Sequence, residues 1–256
     1  MYNGFQGLGH SGILLAVPSP RFDVLSIGLL LALARIPAAH AQATPPGPVV
    51  PAPQRSLAVV VLDPAHGGAD QGARGSTGIT ESDVALSMAR LARISLEAQG
   101  LRVILTRQGN ENPSFDDRSK IVNAQRGAIF LTIHVSSTGQ AGSVRVYSEA
   151  ASGDAAASRS GLVSWDHAQA GYLNSSLQLA ELLQIQMSQH FRGSADAPFT
   201  APVRQLRTIA APAVAIEISS VSLPDRSQLD QMAPALADAV ARAVSAFRTV
   251  YDAGGK

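Results

Sequence analysis

Two histidines stand at positions where they could act as metal ligands. His66 lies in the stretch "VLDPAHGGAD", in which an apolar run ends and the chain bends on paired glycines. His134 ends a second apolar run, "AIFLTIH". Two imidazoles and one carboxylate form a common ligand set for catalytic Zn²⁺, which keeps a fourth position for water. The chain has no cysteine, so a zinc site here must use histidines and carboxylates.

Two glutamates could complete such a site. Glu81 follows a glycine-rich loop at the start of a predicted helix, where an acidic residue also gains about 0.3–1 kcal/mol from the helix dipole. Glu217 interrupts the apolar stretch "APAVAIEIS". A buried carboxylate needs a partner, because burying an unpaired charge is costly. The sequence leaves three interpretations of Glu217 open: a catalytic carboxylate, a residue at the sheet edge that faces water, or an ion pair with an arginine such as Arg204 or Arg207.

Three further residues are weaker candidates for contacts around the site. Asp63 could orient His66, or it could simply form the turn before Pro64. Arg107 could contact the substrate or pair with an acid inside the fold. His167 lies in a segment without a regular pattern, where it could line a substrate groove or anchor the loop.

The elements that position these residues alternate between strand and helix from Leu57 onward. Short apolar runs predict buried strands at 57–63, 101–107, 128–134 and 211–219, and an alternating run predicts an edge strand at 142–148. Helical spacing predicts helices at 80–100, 114–125 and 175–191, and a last helix over 229–250 that Pro234 separates from a short preceding turn. The segment 150–171 is expected to be a surface loop.

This alternation predicts an α/β fold. We expect a single domain with a mostly parallel, twisted sheet of about six strands, flanked by helices on both faces. Ligands of such sheets bind beyond the carboxyl ends of the strands. His66, His134 and Glu217 all lie at or just past strand ends, so they should meet at one edge of the sheet.

The N-terminal region predicts export. Arg21 precedes the apolar run "VLSIGLLLALA", which is shorter than the roughly 20 residues that span a bilayer as a helix. The segment "AHA" at 39–41 has the small-x-small pattern of a cleavage site. We therefore expect a signal peptide at 1–41, a proline-rich linker at 42–56 and a catalytic domain at 57–256. The protein would be periplasmic or secreted, with no permanent membrane span.

Charge and motifs exclude several other classes of function. The net charge is +1, from 20 basic and 19 acidic residues, so nothing favours nucleic acid as a partner. The glycine loop lacks the lysine and spacing of a phosphate-binding loop, and no G-x-S-x-G elbow is present.

Six segments, in order, resemble one known family. They are "LDPAHGGADQGARG", "TESDVAL", "VILTR", "RSKIVNAQ", "LTIHVSS" and "APAVAIEISSVSL", and together they extend over about Leu57–Tyr251. The corresponding family pattern contains "DPGHGG", "LTR", "SIHAN" and "PAVLVEIGFLSN". The chain thus resembles the zinc-dependent N-acetylmuramoyl-L-alanine amidases of the amidase type 3 family, which cleave peptidoglycan.

The resemblance implies a role for each of four residues. His66, Glu81 and His134 correspond to the ligands of one Zn²⁺ per chain, and Glu217 corresponds to the catalytic carboxylate. The implied reaction is hydrolysis of the amide bond between N-acetylmuramic acid and L-alanine. This chain departs from the pattern at Ala65, at 135–136 and after Glu217, which affects the walls of the site rather than the four residues.

The resemblance leaves regulation and two alternatives open. In some family members a helix between the second histidine and the last glutamate blocks the site until an activator protein displaces it; the equivalent region here is 141–176. One alternative is a catalytically inactive module that binds the cell wall. The other is a zinc peptidase that acts on stem peptides, although the H-E-x-x-H motif of common zinc peptidases is missing.

Overall fold

The computed structural model describes residues 56–151 and 164–254. The predicted signal peptide at 1–41, and the linker at 42–56 apart from Ser56, lie outside the described residues. Within those residues, no helix has the length and apolar character that crossing a membrane requires.

One six-stranded sheet forms the centre of the described fold. Its strands are β1 (Val59–Pro64), β2 (Arg102–Leu105), β3 (Ala128–Ser136), β4 (Val144–Glu149), β5 (Phe199–Ala201) and β6 (Ala213–Ser219). They are ordered β2-β1-β3-β6-β4-β5. The first four strands in that order run parallel, β4 runs antiparallel to β6, and β5 runs parallel to β4. The predicted mostly parallel sheet is therefore confirmed.

Helices cover both faces of the sheet. They are α1 (Glu81–Glu97), α2 (Phe115–Asn123), α3 (Leu173–His190), α4 (Arg204–Arg207) and α5 (Arg226–Ala253), with a 3-10 segment at Trp165–Tyr172. The larger core joins α1, α3 and α5 to one face of the sheet, on which Val60 and Leu62 lie. The smaller core joins α2 and α4 to the other face, on which Val61 and Phe130 lie. Two covered faces explain why β1 reads as a continuous apolar run rather than an alternating one.

Several details of the strands and loops differ from the sequence-based expectations. The strand β4 does not form the sheet edge, because β5 pairs on its outer side. The strand β5 and the helix α4 were not predicted, since three and four residues are too few to show a period. Part of the predicted loop at 150–171 is the 3-10 segment, whose Gln169 is buried.

The predicted interruption at Pro234 is wrong, because α5 is continuous across this proline. Proline removes one hydrogen bond from a helix interior. Here the buried side chains of Leu229 and Leu236 lie on either side of Pro234 and pack into the same core. Burial of this long apolar face stabilises the helix more than one missing hydrogen bond destabilises it.

Candidate metal centre

The parallel strands place the candidate residues at one edge of the sheet. His134 on β3 is in register with Glu217 on β6, so the two side chains project from the same face of neighbouring strands. Pro64, the last residue of β1, is in register with Ile133, and His66 follows two positions later. The convergence expected from the strand ends is therefore seen.

The loop after β1 bends sharply at His66. The backbone of His66 has φ 62°, in the left-handed region that non-glycine residues rarely adopt. Two backbone hydrogen bonds between Gly67 and Asp70 close the turn, at 2.7 and 3.0 Å. At Gly72 an added Cβ would lie 2.5 Å from Glu81 Oε2 and 2.6 Å from His66 Cδ2, so only glycine fits there. The glycines let the loop approach the cluster closely.

His66, Glu81 and His134 form a compact group that could hold a metal ion. One ligand atom from each residue lies within 4.8 Å of the others. Glu81 Oε2 is 3.2 Å from His66 Nε2, and Glu81 Oε1 is 2.9 Å from His134 Nδ1. The two imidazole rings meet edge to face, with centroids 5.5 Å apart. Two ring nitrogens and one carboxylate converging in this way fit the donor set of a catalytic zinc site.

Glu81 is held as a buried carboxylate. It begins α1, which Thr80 caps by accepting a hydrogen bond from the backbone N–H of Asp83. The Ala73 N–H donates to Glu81 Oε2 at 2.8 Å, and the Val135 N–H donates to Oε1 at 3.0 Å. Burial alone would raise the pKa of Glu81, but hydrogen bonds from His134, His66 and Ala73 hold it well below its usual value. The carboxylate therefore stays ionised and attracts a cation to the cluster.

Asp70 is a contact of His66 that the sequence analysis did not identify. Its Oδ2 lies 2.8 Å from His66 Nδ1, which leaves Nε2 directed towards Glu81. The hydrogen bond to Glu81 raises the pKa of His66 to about 9, burial opposes that rise, and Asp70 adds to it. The only sequence signal was an aspartate four residues after the histidine in a tight glycine loop. Partners of this kind fix which imidazole nitrogen faces a metal.

Asp63 acts through the backbone of the His66 loop rather than through the imidazole ring. Its buried carboxylate pairs with Arg118 and accepts hydrogen bonds from Thr106 and Thr132. Arg118 in turn donates to the carbonyl of His66 at 2.9 Å. Asp70 contacts the ring itself, so the structure does not support the interpretation in which Asp63 orients the imidazole of His66.

Arg107 also holds the loop after β1 in place. Its guanidinium is buried and donates to the carbonyls of Pro64, Ala65 and Ser82 at 2.8–2.9 Å. These bonds tie the end of β1 to the first turn of α1. Of the two interpretations left open by the sequence, the structure favours the internal one, although the partners are carbonyl oxygens rather than acids.

Glu217 has an arginine partner, but neither of the two considered from the sequence. Arg145 lies directly opposite Glu217 across the β4–β6 pair, and its Nη2 is 2.8 Å from Glu217 Oε1. Arg207 instead pairs with Glu149, and the Arg204 guanidinium lies 4.8 Å from the centroid of the Phe115 ring. The alternation in "GSVRVYS" indicates which face of β4 carries Arg145. It does not indicate which residue of β6 lies opposite.

A cavity opens beside the metal-ligand group. Its volume is about 390 Å³, large enough for part of a peptide or a sugar. His66, His134 and Asp70 lie on its wall towards the ligand group, and Phe115 and Gln205 lie on its wall towards α2 and α4. His167 lines a separate, smaller cavity with Glu149 and Arg207. The structure does not bring His167 together with the other candidates.

Sequence comparisons relate the chain to one family of known proteins. The sequence profile of the N-acetylmuramoyl-L-alanine amidase family matches residues 60–246. The N-acetylmuramoyl-L-alanine amidase AmiA of Escherichia coli strain K12 is 41% identical over 76 residues, which are 30% of this chain and 26% of that protein. The sporulation-specific N-acetylmuramoyl-L-alanine amidase of Bacillus subtilis strain 168 is 36% identical over 85 residues, covering 32% of this chain and 33% of that protein. The chain therefore spans about a quarter to a third of the length of these relatives.

Solved structures resemble the fold over most of its length. The amidase AmiC2 of Nostoc punctiforme matches with a TM-score of 0.59 and 23% identity, over 75% of this chain and 97% of that one. The CwlD amidase of Clostridioides difficile, solved in complex with the GerS lipoprotein, matches with a TM-score of 0.60 and 18% identity, over 75% and 99%. At these identities the likeness concerns the fold alone. The profile match extends over more than half of the sequence, and the chain therefore belongs to the N-acetylmuramoyl-L-alanine amidase family.

Proposed function

We propose that this protein is a zinc-dependent amidase that hydrolyses the amide bond between N-acetylmuramic acid and L-alanine in peptidoglycan. The observation that carries the proposal is the convergence of His66, Glu81 and His134 within 4.8 Å, with Glu217 on the strand next to His134. This arrangement combines a metal-ligand group with a nearby carboxylate, as metal-assisted hydrolysis requires.

The three ligand residues are proposed to hold one Zn²⁺ per chain. When bound, Zn²⁺ supplies a Lewis acid and lowers the pKa of a water from about 16 towards 7. Glu81 is ionised and buried, so it contributes the negative charge of the ligand set. Asp70, through Nδ1 of His66, keeps the other ring nitrogen turned towards the centre of the group.

Glu217 is proposed to be the general base. As a carboxylate it would take a proton from the attacking water and return that proton to the departing α-amine of L-alanine. Its side chain is about 29% exposed, so water can reach the carboxylate. Arg145 holds one carboxylate oxygen and thereby limits the rotation of the group.

The setting proposed for this reaction is outside the cytoplasm. Peptidoglycan is the substrate implied by the family, and the N-terminal pattern predicts export to the periplasm or the exterior. A protein activator is a further expectation, since the related CwlD amidase forms a complex with the GerS lipoprotein. The segment that corresponds to the blocking helix of some family members is 141–176. Its residues 152–163 lie outside the described residues.

Digestion of purified peptidoglycan tests the proposal. The amidase reaction releases stem peptides with a free L-alanine amino group and leaves uncleaved glycan chains, both of which mass spectrometry identifies. Glu217→Gln is the control, which should retain zinc and lose activity by about 100- to 10,000-fold. Binding without any release would support the inactive wall-binding module instead, and cleavage within the peptides would support the peptidase.

A further inference from the structure

Gln205 occupies an unusual position in the cavity beside the metal-ligand group. It lies on the short helix α4 and is 4% exposed. The same cavity is lined by His66 and His134, the proposed metal ligands, and by the exposed ring of Phe115. A buried amide is thus located at the wall of the site where the substrate is proposed to react.

The described residues contain two other buried glutamines, and both have partners. Gln169 donates to two backbone carbonyls at 2.8 Å and accepts from Ser176 Oγ at 2.7 Å. Gln184 accepts from the Val146 N–H and donates to the Ala195 carbonyl, both at 2.8 Å. Each of these side-chain amides pairs with backbone groups that would otherwise lack a hydrogen-bond partner, which is the usual reason for a buried glutamine.

Gln205 differs from both. Within residues 56–151 and 164–254, neither its Nε2 nor its Oε1 has a hydrogen-bond partner. Its neighbours Leu206 and Ile209 belong to the smaller apolar core, where a leucine would pack without this cost. An unpaired buried amide destabilises the free protein, so its presence at the cavity wall is accounted for if the partner arrives with a ligand.

We propose that Gln205 binds a secondary amide group of the substrate. After a rotation of its side chain towards the cavity, Oε1 would accept a hydrogen bond from the amide N–H and Nε2 would donate one to the amide carbonyl. A carboxamide suits this partner because it offers one donor group and one acceptor in a single plane. This inference rests on the proposed function, since peptidoglycan supplies such amides from two sources: the stem peptide and the N-acetyl group of the sugar.

Thermal unfolding tests whether the amide is unpaired in the free protein. Gln205→Leu should raise the Tm by about 2–4 °C, because it removes a buried unpaired amide. Gln184→Leu is the matched control and should lower the Tm, because it leaves the Val146 N–H and the Ala195 carbonyl without partners. A lower Tm for Gln205→Leu would show that Gln205 has a partner within the protein and would overturn the proposal.

Ligand binding tests the second half of the proposal. Zinc-loaded Glu217→Gln protein is titrated with N-acetylmuramoyl-L-alanyl-D-isoglutamine in a calorimeter, with and without the additional Gln205→Leu change. The added change should weaken binding about tenfold, the effect of losing roughly one hydrogen-bonded pair. Equal affinities of the two proteins would overturn the proposal.

A second ligand identifies which amide is bound. With the muramoyl dipeptide that carries a free amine instead of the N-acetyl group, the effect of Gln205→Leu disappears if the sugar supplies the partner. It persists if the stem peptide does. These measurements report binding to a variant that lacks the proposed catalytic carboxylate, so they are independent of the digestion assay. A wild-type protein that cleaves nothing would contradict the proposed function. Unchanged binding after Gln205→Leu would contradict only the inference about Gln205.

Discussion

At the scale of single residues, the site depends on which atoms face the centre of the metal-ligand group. His66, His134 and Glu217 could be proposed from the sequence, because each is a polar residue within or just after an apolar run. Glu81, at the start of a predicted helix, was assigned through the resemblance to the amidase family. The residues that orient His66 and Glu217 could not be identified from the sequence. Asp70 and Arg145 gain their positions from a tight turn and from the strand register, and neither leaves a distinctive pattern in the sequence.

Asp70 is predicted to strengthen metal binding through His66. Asp70→Asn weakens the acceptor at His66 Nδ1, so the zinc affinity should fall about 10- to 100-fold. Competition with a chromogenic chelator measures this change. Asp196→Asn, an exposed aspartate elsewhere in the chain, is the matched control and should bind zinc as the wild type does. Equal affinities of Asp70→Asn and wild type would show that the imidazole is oriented without Asp70.

Arg145 is predicted to act on turnover rather than on metal binding. Arg145→Ala frees the Glu217 carboxylate to rotate, and such a displacement of a catalytic group costs up to about 100-fold in kcat. Arg145→Lys keeps a cation near Glu217 Oε1 and should recover part of the loss. Zinc content should be unchanged in both variants. A normal kcat for Arg145→Ala would mean that the ion pair does not position the base.

At the scale of elements, the loop after β1 is held by buried arginines. Arg118 on α2 pairs with Asp63 at the end of β1 and also reaches the carbonyls of Pro64 and His66. Arg118 therefore connects the end of β1 to the backbone of the candidate ligand His66. Removing one partner of a buried pair leaves an uncompensated charge.

Arg118→Met should therefore lower the free energy of unfolding by about 3–5 kcal/mol. Urea unfolding followed by circular dichroism measures the loss. Lys120→Met, on the same helix, removes only the exposed ion pair with Asp117 and should cost no more than about 1 kcal/mol. Similar losses for the two variants would contradict a fastening role for Arg118.

The elements themselves were largely predictable, and the exceptions have physical reasons. Apolar runs revealed the parallel strands, since a strand buried on both faces shows no alternation. The edge strand β5 and the helix α4 are shorter than any period that a sequence can display. In α1 the buried face includes Val84, Met88 and Ala89, whereas Leu91 is 37% exposed.

At the scale of the whole molecule, the ligand group joins distant parts of the chain. It links the loop after β1, the start of α1 and the end of β3. A metal bound only by the folded arrangement stabilises that arrangement by mass action, by about 2.7 kcal/mol when the free metal is 100 times its Kd. Metal binding and global stability should therefore change together.

Removal of the metal should lower the Tm by several degrees, and added Zn²⁺ should restore it. Differential scanning calorimetry with and without a chelator measures the shift. Glu217→Gln, which keeps all three proposed ligands, should show the same shift as the wild type. His134→Ala should show little or none. A chelator-insensitive wild-type Tm would argue against a tightly bound ion.

The zinc site is tested by a crystal structure of the zinc-loaded protein with anomalous data collected at the zinc absorption edge. We expect one anomalous peak per chain, at about 2.0–2.2 Å from a ring nitrogen of His66, a ring nitrogen of His134 and a carboxylate oxygen of Glu81, with Glu217 beside it and not bound to it. A peak coordinated by other residues, or no peak among these three, would show that His66, Glu81 and His134 do not form the zinc site.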